Sequence, residues 1–312
     1  MNVLVETFEQ LFPLYFFILL GALLRKTKIF PESMSQPLNR LVFIVFISTA
    51  LFVSTYDTNL AEAADLKAIL FAVLAVLVLA AGGLLFAAKR IKSRARAAVI
   101  AQSAYRSNFN LHGLIYGTLL FGAARIGVTS LLIAVTVPLF NVLSVFIFAF
   151  MTGDKPTPRA ILGKLATNPI IIAVLLALFF QLTSWKLPGL VYLPLNQIAQ
   201  AAGPLALMAA GSSLTFQGLK KNRSLIVTGS VMRLTLAPLL LLPPALLLGF
   251  RDITLLSLLV CLGGPVASPL PPMAYEMGGD GELASQLVAV TSLFSLFTLH
   301  TFILFLRFAG FL

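Results

Sequence analysis

Charged residues are scarce in this sequence. They make up 11% of its 312 residues, whereas 59% are hydrophobic and the mean hydropathy is +0.99. Soluble domains carry about 25% charged residues, so a chain with so few could not cover a water-facing surface. We therefore expect an integral membrane protein that lies in a lipid bilayer. The net charge of +11 would suggest a nucleic-acid partner in a soluble protein, but none is expected here because the basic residues fall between apolar runs.

Cysteine is also scarce, and nucleotide-binding motifs are absent. The single cysteine, Cys261, excludes an intramolecular disulfide and a cysteine-built metal site. The sequence contains no Walker loop and no dinucleotide fingerprint, which argues against an ATP-driven pump, and we expect no cofactor or metal. An intramembrane aspartyl protease is the enzyme alternative, with Asp57 and Asp280 as its pair. These aspartates are predicted at span ends on opposite sides of the membrane, where they cannot share a proton, so no enzyme is expected.

Apolar runs of sufficient length predict an all-α membrane protein with ten transmembrane helices, since about 20 residues cross the hydrocarbon core. In chain order, the ten predicted spans are Leu4–Leu24, Leu38–Ser54, Leu66–Ala88, Ala97–Phe121, Val128–Met151, Ala166–Leu182, Val191–Leu214, Leu225–Leu248, Leu255–Ala274 and Ala284–Leu306. A polar stretch from Gly153 to Pro158 separates the first five spans from the last five. Because five is odd, the second half enters the membrane from the opposite side. Residues 1–155 and 156–312 are therefore predicted to be inverted repeats.

Basic residues in the predicted loops indicate the orientation. Fifteen lie in or at the edges of the loops that follow spans 1, 3, 5 and 7, whereas five lie in or at the edges of the alternate loops and the tail. Since loops rich in Lys and Arg stay in the cytoplasm, both termini are predicted to lie outside, in the periplasm of a Gram-negative source. The expected location is the bacterial inner membrane.

Two of the ten spans are interrupted. Gly263 to Pro272, in span 9, holds four prolines and two glycines in ten residues, and span 4 contains Arg106 to Gly113. Proline breaks a helix, and lipid offers no water to the carbonyl groups that the break frees. Interrupted segments at corresponding places in two halves indicate the substrate site of a transporter. We therefore expect broken spans 4 and 9 to cross at the membrane centre.

Arg106 and Arg233 are the two arginines placed well inside predicted spans, each roughly 13 Å deep at 1.5 Å per residue. Such a residue can snorkel to the headgroups, cap the broken backbone of a neighbouring span, or attract an organic anion. The residues alone leave these three roles open for both arginines.

Polar side chains beside the span 4 break are the other candidates. Asn108 and Asn110 could contact a carboxylate directly or only stabilise the opened helix. His112 could carry a proton for coupling, or be a neutral hydrogen-bonded helix residue. Asn141 in span 5 could face the cavity.

Several motifs resemble the auxin efflux carrier family of membrane transporters along nearly the whole chain. They are Arg106-Ser107-Asn108 with Gly113, Asn168-Pro169, Gly211 to Leu214, Arg233 to Pro238, Pro265, Tyr275 to Ser285 and Val290-Thr291-Ser292. The resemblance implies a fold similar to bile acid/sodium symporters, in which spans 1, 2, 6 and 7 form a scaffold and spans 3–5 and 8–10 form a transport core. It also implies organic-anion transport by an elevator-like movement, and a homodimer. By resemblance, Asn108 is the polar residue at the crossing and Pro265 marks the break in span 9.

The sequence departs from the family pattern in three places. Asn110 and Ile115 stand where glycine and proline are common, and His300 also stands where proline is common. In addition, span 9 lacks a counterpart of the acid that binds sodium in the bile acid relatives, which argues against sodium coupling.

The resulting prediction is a secondary active transporter of a small organic anion, a mono- or dicarboxylate. A passive anion channel and a ligand sensor without transport are the alternatives. The predicted substrate-binding residues are Arg106, Asn108, Asn110, Gly113, Asn141, Pro265, Ser268 and Pro269. His112 is a candidate for proton coupling, and Arg233 is a structural or anion-attracting charge.

Overall fold

Helices form all the regular elements of the computed structural model, which describes residues 2–57, 66–122, 125, 127–153, 163, 166–183, 185–214 and 216–312. Within these ranges, the helices of the first half are α1 (Asn2–Lys26), α2 (Ser35–Leu41), α3 (Ser48–Tyr56), α4 (Leu66–Arg90), α5 (Arg94–Tyr105), α6 (Phe109–Phe121) and α7 (Gly127–Thr152). Those of the second half are α8 (Pro169–Leu182), α9 (Gly189–Ser212), α10 (Phe216–Val231), α11 (Ala237–Leu247), α12 (Asp252–Gly263), α13 (Leu270–Glu276) and α14 (Gly281–Phe308).

Two π-helical turns keep neighbouring helices continuous. Val42–Ile47 joins α2 to α3, and Met232–Leu236 joins α10 to α11. A π turn inserts an extra residue into a helix and is frequent at functional sites. The second of these turns carries Arg233, one of the two arginines that the sequence singles out.

Helix starts follow from local chemistry. The side chain of Asn168 accepts a hydrogen bond from the amide of Ile170 at 3.0 Å, and Pro169 occupies the first position of α8. Proline fits there because its missing N–H would have no partner inside the helix. The carboxylate of Asp280 caps α14 in the same way, accepting from the amide of Leu283 at 2.9 Å.

Each of the ten predicted spans coincides with a helix or with an interrupted pair of helices. Among the described residues, five helices are long and apolar enough to cross a membrane, namely Gln36–Tyr56, Leu66–Arg90, Gly127–Thr152, Gln217–Leu247 and Gly281–Phe308. Phe109–Phe121, Pro169–Leu182 and Asp252–Gly263 are shorter apolar helices. The all-helical class is confirmed, whereas the count of ten spans and the inverted repeat stay predictions. The junction of the proposed repeats, at residues 155 and 156, lies outside the described part of the chain.

Two groups of helices are distinguished by their packing. In the first group, α1 packs on α9, and α3 packs on α8 and α9; in the second, α4 packs on α5 and α7, and α14 packs on α10 and α13. The α1–α9 contact is tight, because a Cβ atom added at Gly211 would lie 2.0 Å from the carbonyl oxygen of Ile18. Contacts of α1 with α6 and α14, and of α2 with α13, connect the groups.

Candidate functional site

Two helix breaks form the centre of the candidate site. Helix α5 ends at Tyr105 and α6 begins at Phe109, with Arg106 in an extended conformation between them. Helix α12 ends at Gly263 and α13 begins at Leu270. The interruptions are those that the sequence predicts for spans 4 and 9.

The two breaks pair with each other in an antiparallel manner. The amide of Asn108 donates to the carbonyl of Pro265 at 2.8 Å, and the amide of Ala267 donates to the carbonyl of Arg106 at 3.2 Å. Ser107 lies opposite Val266, and its hydroxyl donates to the carbonyl of Cys261 at 2.8 Å. This pairing satisfies backbone groups that lipid could not satisfy.

A cavity of about 450 Å³ lies against the paired breaks, between the two groups of helices. On the side of the breaks and α7, its lining comprises Arg106, Ser107, Asn108, Asn110, Leu111, Val137, Phe140, Asn141, Ala267, Ser268 and Pro269. On the side of α1, α3 and α9, it comprises Pro13, Leu14, Phe17, Ile47, Ala50, Leu51, Ser54, Ala199, Gln200, Ala202, Gly203, Pro204, Ala206 and Leu207. The cavity is therefore mostly apolar, with polar groups concentrated at the breaks.

Several polar groups at the cavity are available to a ligand. Within the described residues, the side chains of Asn108, Asn110, Ser268 and Gln200 make no hydrogen bond to the protein. Asn108 also gives no side-chain cap to α6, so the first backbone N–H groups of that helix are left for a ligand or water. A helix N-terminus carries a partial positive charge, which favours an anion.

Arg106 lines the cavity and carries a positive charge. Its side chain is 2% exposed, and its guanidinium donates to Asn141 Oδ1 at 2.6 Å and to Ser144 Oγ at 3.1 Å. No carboxylate pairs with it in the described chain, where the ion pairs are Arg40–Glu276 and Arg96–Asp280. The arrangement can therefore attract and hold a small anion.

Comparison with known proteins fits this geometry. A family model described as a membrane transport protein matches residues 6–159 and 154–303, which together cover most of the sequence. The chain belongs to the membrane transport protein family. This is the auxin efflux carrier type of family that the motifs resemble, so the resemblance is confirmed. The chain is accordingly a multi-pass membrane protein with a family relation to transporters.

An archaeal relative has a similar length. A protein of Methanothermobacter thermautotrophicus, described as an uncharacterized transporter, is 24% identical over 282 residues, which cover 89% of this chain and 91% of the relative. Like the family match, this relation indicates a transporter and argues against an enzyme. The two aspartates of the protease alternative have structural partners here. Asp57 accepts a hydrogen bond from Tyr192 at 2.8 Å, and Asp280 pairs with Arg96 at 3.0 Å.

In the present chain, six of the eight predicted substrate-binding residues line the cavity, namely Arg106, Asn108, Asn110, Asn141, Ser268 and Pro269. Two other predicted binding residues do not. Pro265 gives its carbonyl to the pairing of the breaks, and Gly113 packs against Phe109 and Thr129.

His112 and Arg233 also lie outside the cavity lining. His112 is fully buried, and its Nδ1 atom lies 3.1 Å from the carbonyl oxygen of Asn108, one turn earlier. Arg233 is fully buried too, and donates to backbone carbonyl groups at both breaks. This geometry corresponds to the capping role that the sequence leaves open for Arg233.

Gln200 and Ser54 line the cavity but are not among the residues that the sequence predicts. Gln200 lies on α9, which also carries Asn196 and Gln197. Three amides in an otherwise apolar helix were a usable signal, although periodicity alone does not show which of them faces a cavity.

Proposed function

We propose that this family member is a secondary active transporter of a small organic anion, and that the anion binds in the cavity beside the paired breaks. The observation that carries the proposal is Arg106, which lines the cavity and whose guanidinium has no carboxylate partner among the described residues. A buried cation of this kind is costly unless it has a function or a counter-charge. A bound carboxylate would supply that counter-charge.

The lining supports a carboxylate with an apolar body. Leu14, Phe17, Leu51 and Phe140 offer apolar walls, while Asn108 and Ser268 offer donors to an oxygen atom. A volume of about 450 Å³ is within the usual range for small-molecule sites, about 300 to 1,000 Å³. One uncompensated cation suits a monocarboxylate, and a second carboxylate would have to be held by amides such as those of Asn110 and Gln200.

The position of the cavity supports an elevator-like movement. We propose that the scaffold comprises α1, α2–α3, α8 and α9, and that the remaining helices form the transport core. The cavity lies at the boundary between these groups, so a displacement of the core could expose the ligand on the other side of the membrane. The proposal also includes ten spans in two inverted repeats, external termini, an inner-membrane location and a homodimer. These parts of it are based on the loop charges and the family resemblance.

Membrane potential is sufficient to drive export of such a substrate. One elementary charge that crosses the membrane gains about 2.3 kcal/mol per 100 mV. A monocarboxylate exported without a coupled ion would therefore be concentrated outside by the inside-negative potential. Proton coupling through His112 stays a prediction, and a transport assay under an imposed pH gradient with His112→Gln tests it.

Proteoliposome flux tests the proposed function. We expect saturable uptake and counter-exchange for at least one labelled mono- or dicarboxylate, and about a tenfold or greater loss of uptake for Asn108→Ala, since a hydrogen bond to a charged group contributes about 1.5 to 3 kcal/mol. Thr301→Ala is the control, because Thr301 is exposed and its hydroxyl bonds the carbonyl of Phe297 in its own helix. Unchanged uptake in Asn108→Ala would refute the site. Ohmic current would instead indicate a channel, and binding without flux a sensor.

A further inference from the structure

Arg233 connects the carboxyl-terminal ends of two broken helices. Its Nε atom donates to the carbonyl of Gly264 at 2.7 Å, and its Nη2 atom donates to the carbonyl of Cys261 at 2.5 Å. Its Nη1 atom donates to the carbonyl of Ala104 at 3.2 Å. Cys261 and Gly264 belong to the end of α12, and Ala104 belongs to the end of α5. One guanidinium therefore contacts both helix ends.

These helix ends form a negative site inside the protein. The last carbonyl groups of a helix have no partner within it, and the helix dipole places about −0.5 of an elementary charge at that end. Two such ends in contact with one group sum to about one negative charge. In transporters with discontinuous helices, unwound carbonyl groups and half-helix carboxyl ends hold the coupling sodium ion or proton.

In this chain, the side chain of Arg233 lies where such a coupling cation would be held. Arg233 is fully buried within the protein, and the π turn at Met232–Leu236 carries it. Within the described ranges, its three hydrogen bonds all go to backbone carbonyl groups, and no carboxylate pairs with it there. Its single positive charge matches the summed charge of the two helix ends.

We propose that Arg233 is a fixed internal cation that replaces a bound coupling cation at the paired carboxyl ends of α5 and α12. Sodium consequently does not bind at these carbonyl groups, and anion flux does not require it. Arg233 is a positioning residue. It holds the ends of both broken helices, and thereby the pairing of Asn108 with Pro265 on which the cavity depends. This inference rests on the proposed transport function only for its flux readout.

The first measurement compares the unsubstituted protein in sodium and in N-methylglucamine buffers, with and without a transported anion. We expect the same melting temperature in both buffers and uptake rates that agree within twofold. A melting temperature that rises with sodium, or uptake that rises severalfold, would overturn the proposal. The melting measurement needs no transported anion, so it stays informative even if the proposed transport function fails.

The second measurement compares Arg233→Met, Arg233→Lys and Arg233→Ser with the control Arg223→Met, which removes an exposed basic residue of α10. We expect Arg233→Met to lower the melting temperature and to weaken anion affinity at least tenfold. Arg233→Lys should recover most of both properties, because an ammonium group has three donors for the three carbonyl groups. Arg233→Ser should become more stable in sodium than in N-methylglucamine, since its carbonyl groups are then open to a cation.

The lysine variant keeps the test decisive if Arg233→Met and Arg233→Ser do not fold. A folded, sodium-independent Arg233→Lys supports a requirement for positive charge at this place. An Arg233→Lys protein that fails as completely as Arg233→Met would overturn the fixed-cation proposal. An Arg233→Met protein with unchanged melting temperature and anion affinity would overturn it as well.

Discussion

The backbone amide of Asn108 donates to the carbonyl of Pro265 at 2.8 Å, which joins two helix breaks that are far apart in the sequence. Together with the bond from the amide of Ala267 to the carbonyl of Arg106, it forms a short antiparallel contact, whereas the regular elements of the described residues are helices. The contact has chemically different sides. Arg233 meets the carboxyl ends of the broken helices, whereas the amino end of α6 and the side chain of Asn108 border the cavity.

The charge of Arg106 is expected to control anion affinity. Arg106→Gln should weaken binding by about tenfold to a hundredfold, the range of a lost charge-assisted hydrogen bond. Arg106→Lys should retain part of the affinity, because lysine keeps the charge but cannot reproduce the fork of bonds to Asn141 and Ser144. Isothermal titration of purified protein measures both, with the exposed Arg90→Gln as control. Equal affinity in Arg106→Gln and the unsubstituted protein would exclude an electrostatic role.

Two adjacent glycines in α4 should respond differently to alanine. A Cβ atom at Gly83 would lie 2.6 Å from Ala104 Cβ and 2.8 Å from the carbonyl oxygen of Ala101, whereas a Cβ atom at Gly82 would meet nothing within 4 Å. Gly83→Ala should therefore cost about 1 to 3 kcal/mol through overpacking against α5. Gly82→Ala should be neutral or stabilise the helix by about 0.5 to 1 kcal/mol.

Thermal unfolding of both glycine variants in the same detergent measures this difference. Two equal melting temperatures would show that α4 and α5 do not pack as closely as the structure has them.

We expect contacts between the two helix groups to break during transport. Tyr275 on α13 donates to Ser213 at the end of α9 at 3.3 Å, and Glu276 lies 3.9 Å from Arg40. Joining Ser213→Cys to Tyr275→Cys with a short, reducible bifunctional thiol reagent should abolish uptake, and reduction should restore it. The measurement is uptake before and after each treatment.

A pair within the proposed scaffold provides the matched control for that experiment. Asp57 and Tyr192 are hydrogen bonded at 2.8 Å, and both belong to the same helix group. Cross-linking Asp57→Cys to Tyr192→Cys should leave uptake unchanged. If the Ser213–Tyr275 cross-link also left it unchanged, the groups would not need to separate and the elevator proposal would be wrong.

Much of the helical framework could be predicted from the sequence because its signals are local. Apolar runs place the helices, Asn168-Pro169 marks the start of α8, and the prolines from Pro265 onward mark the end of α12. Each of these features acts within a few residues of its own position, and composition alone reveals it.

Partners that come from distant parts of the chain could not be predicted in the same way. The sequence predicts the depth of Arg233 from its place in the span. It does not show that the donors of Arg233 reach carbonyl groups of both α5 and α12. The sequence does not identify Gln200, because the direction of an amide on α9 depends on how that helix packs. The place of Gly113 beside the break predicts a binding residue, but Phe109 and Thr129 pack around it instead.

The most direct test of the proposed site is a cryo-electron-microscopy map of the protein in lipid nanodiscs with an anion that flux assays show to be transported. We expect anion density in the cavity of about 450 Å³, with its carboxylate within about 3 Å of the side chains of Asn108 and Ser268. Density instead in the separate cleft of about 690 Å³ beside Glu276 and Met277, or continuous helices through Arg106–Asn108 and Gly264–Pro269, would contradict it.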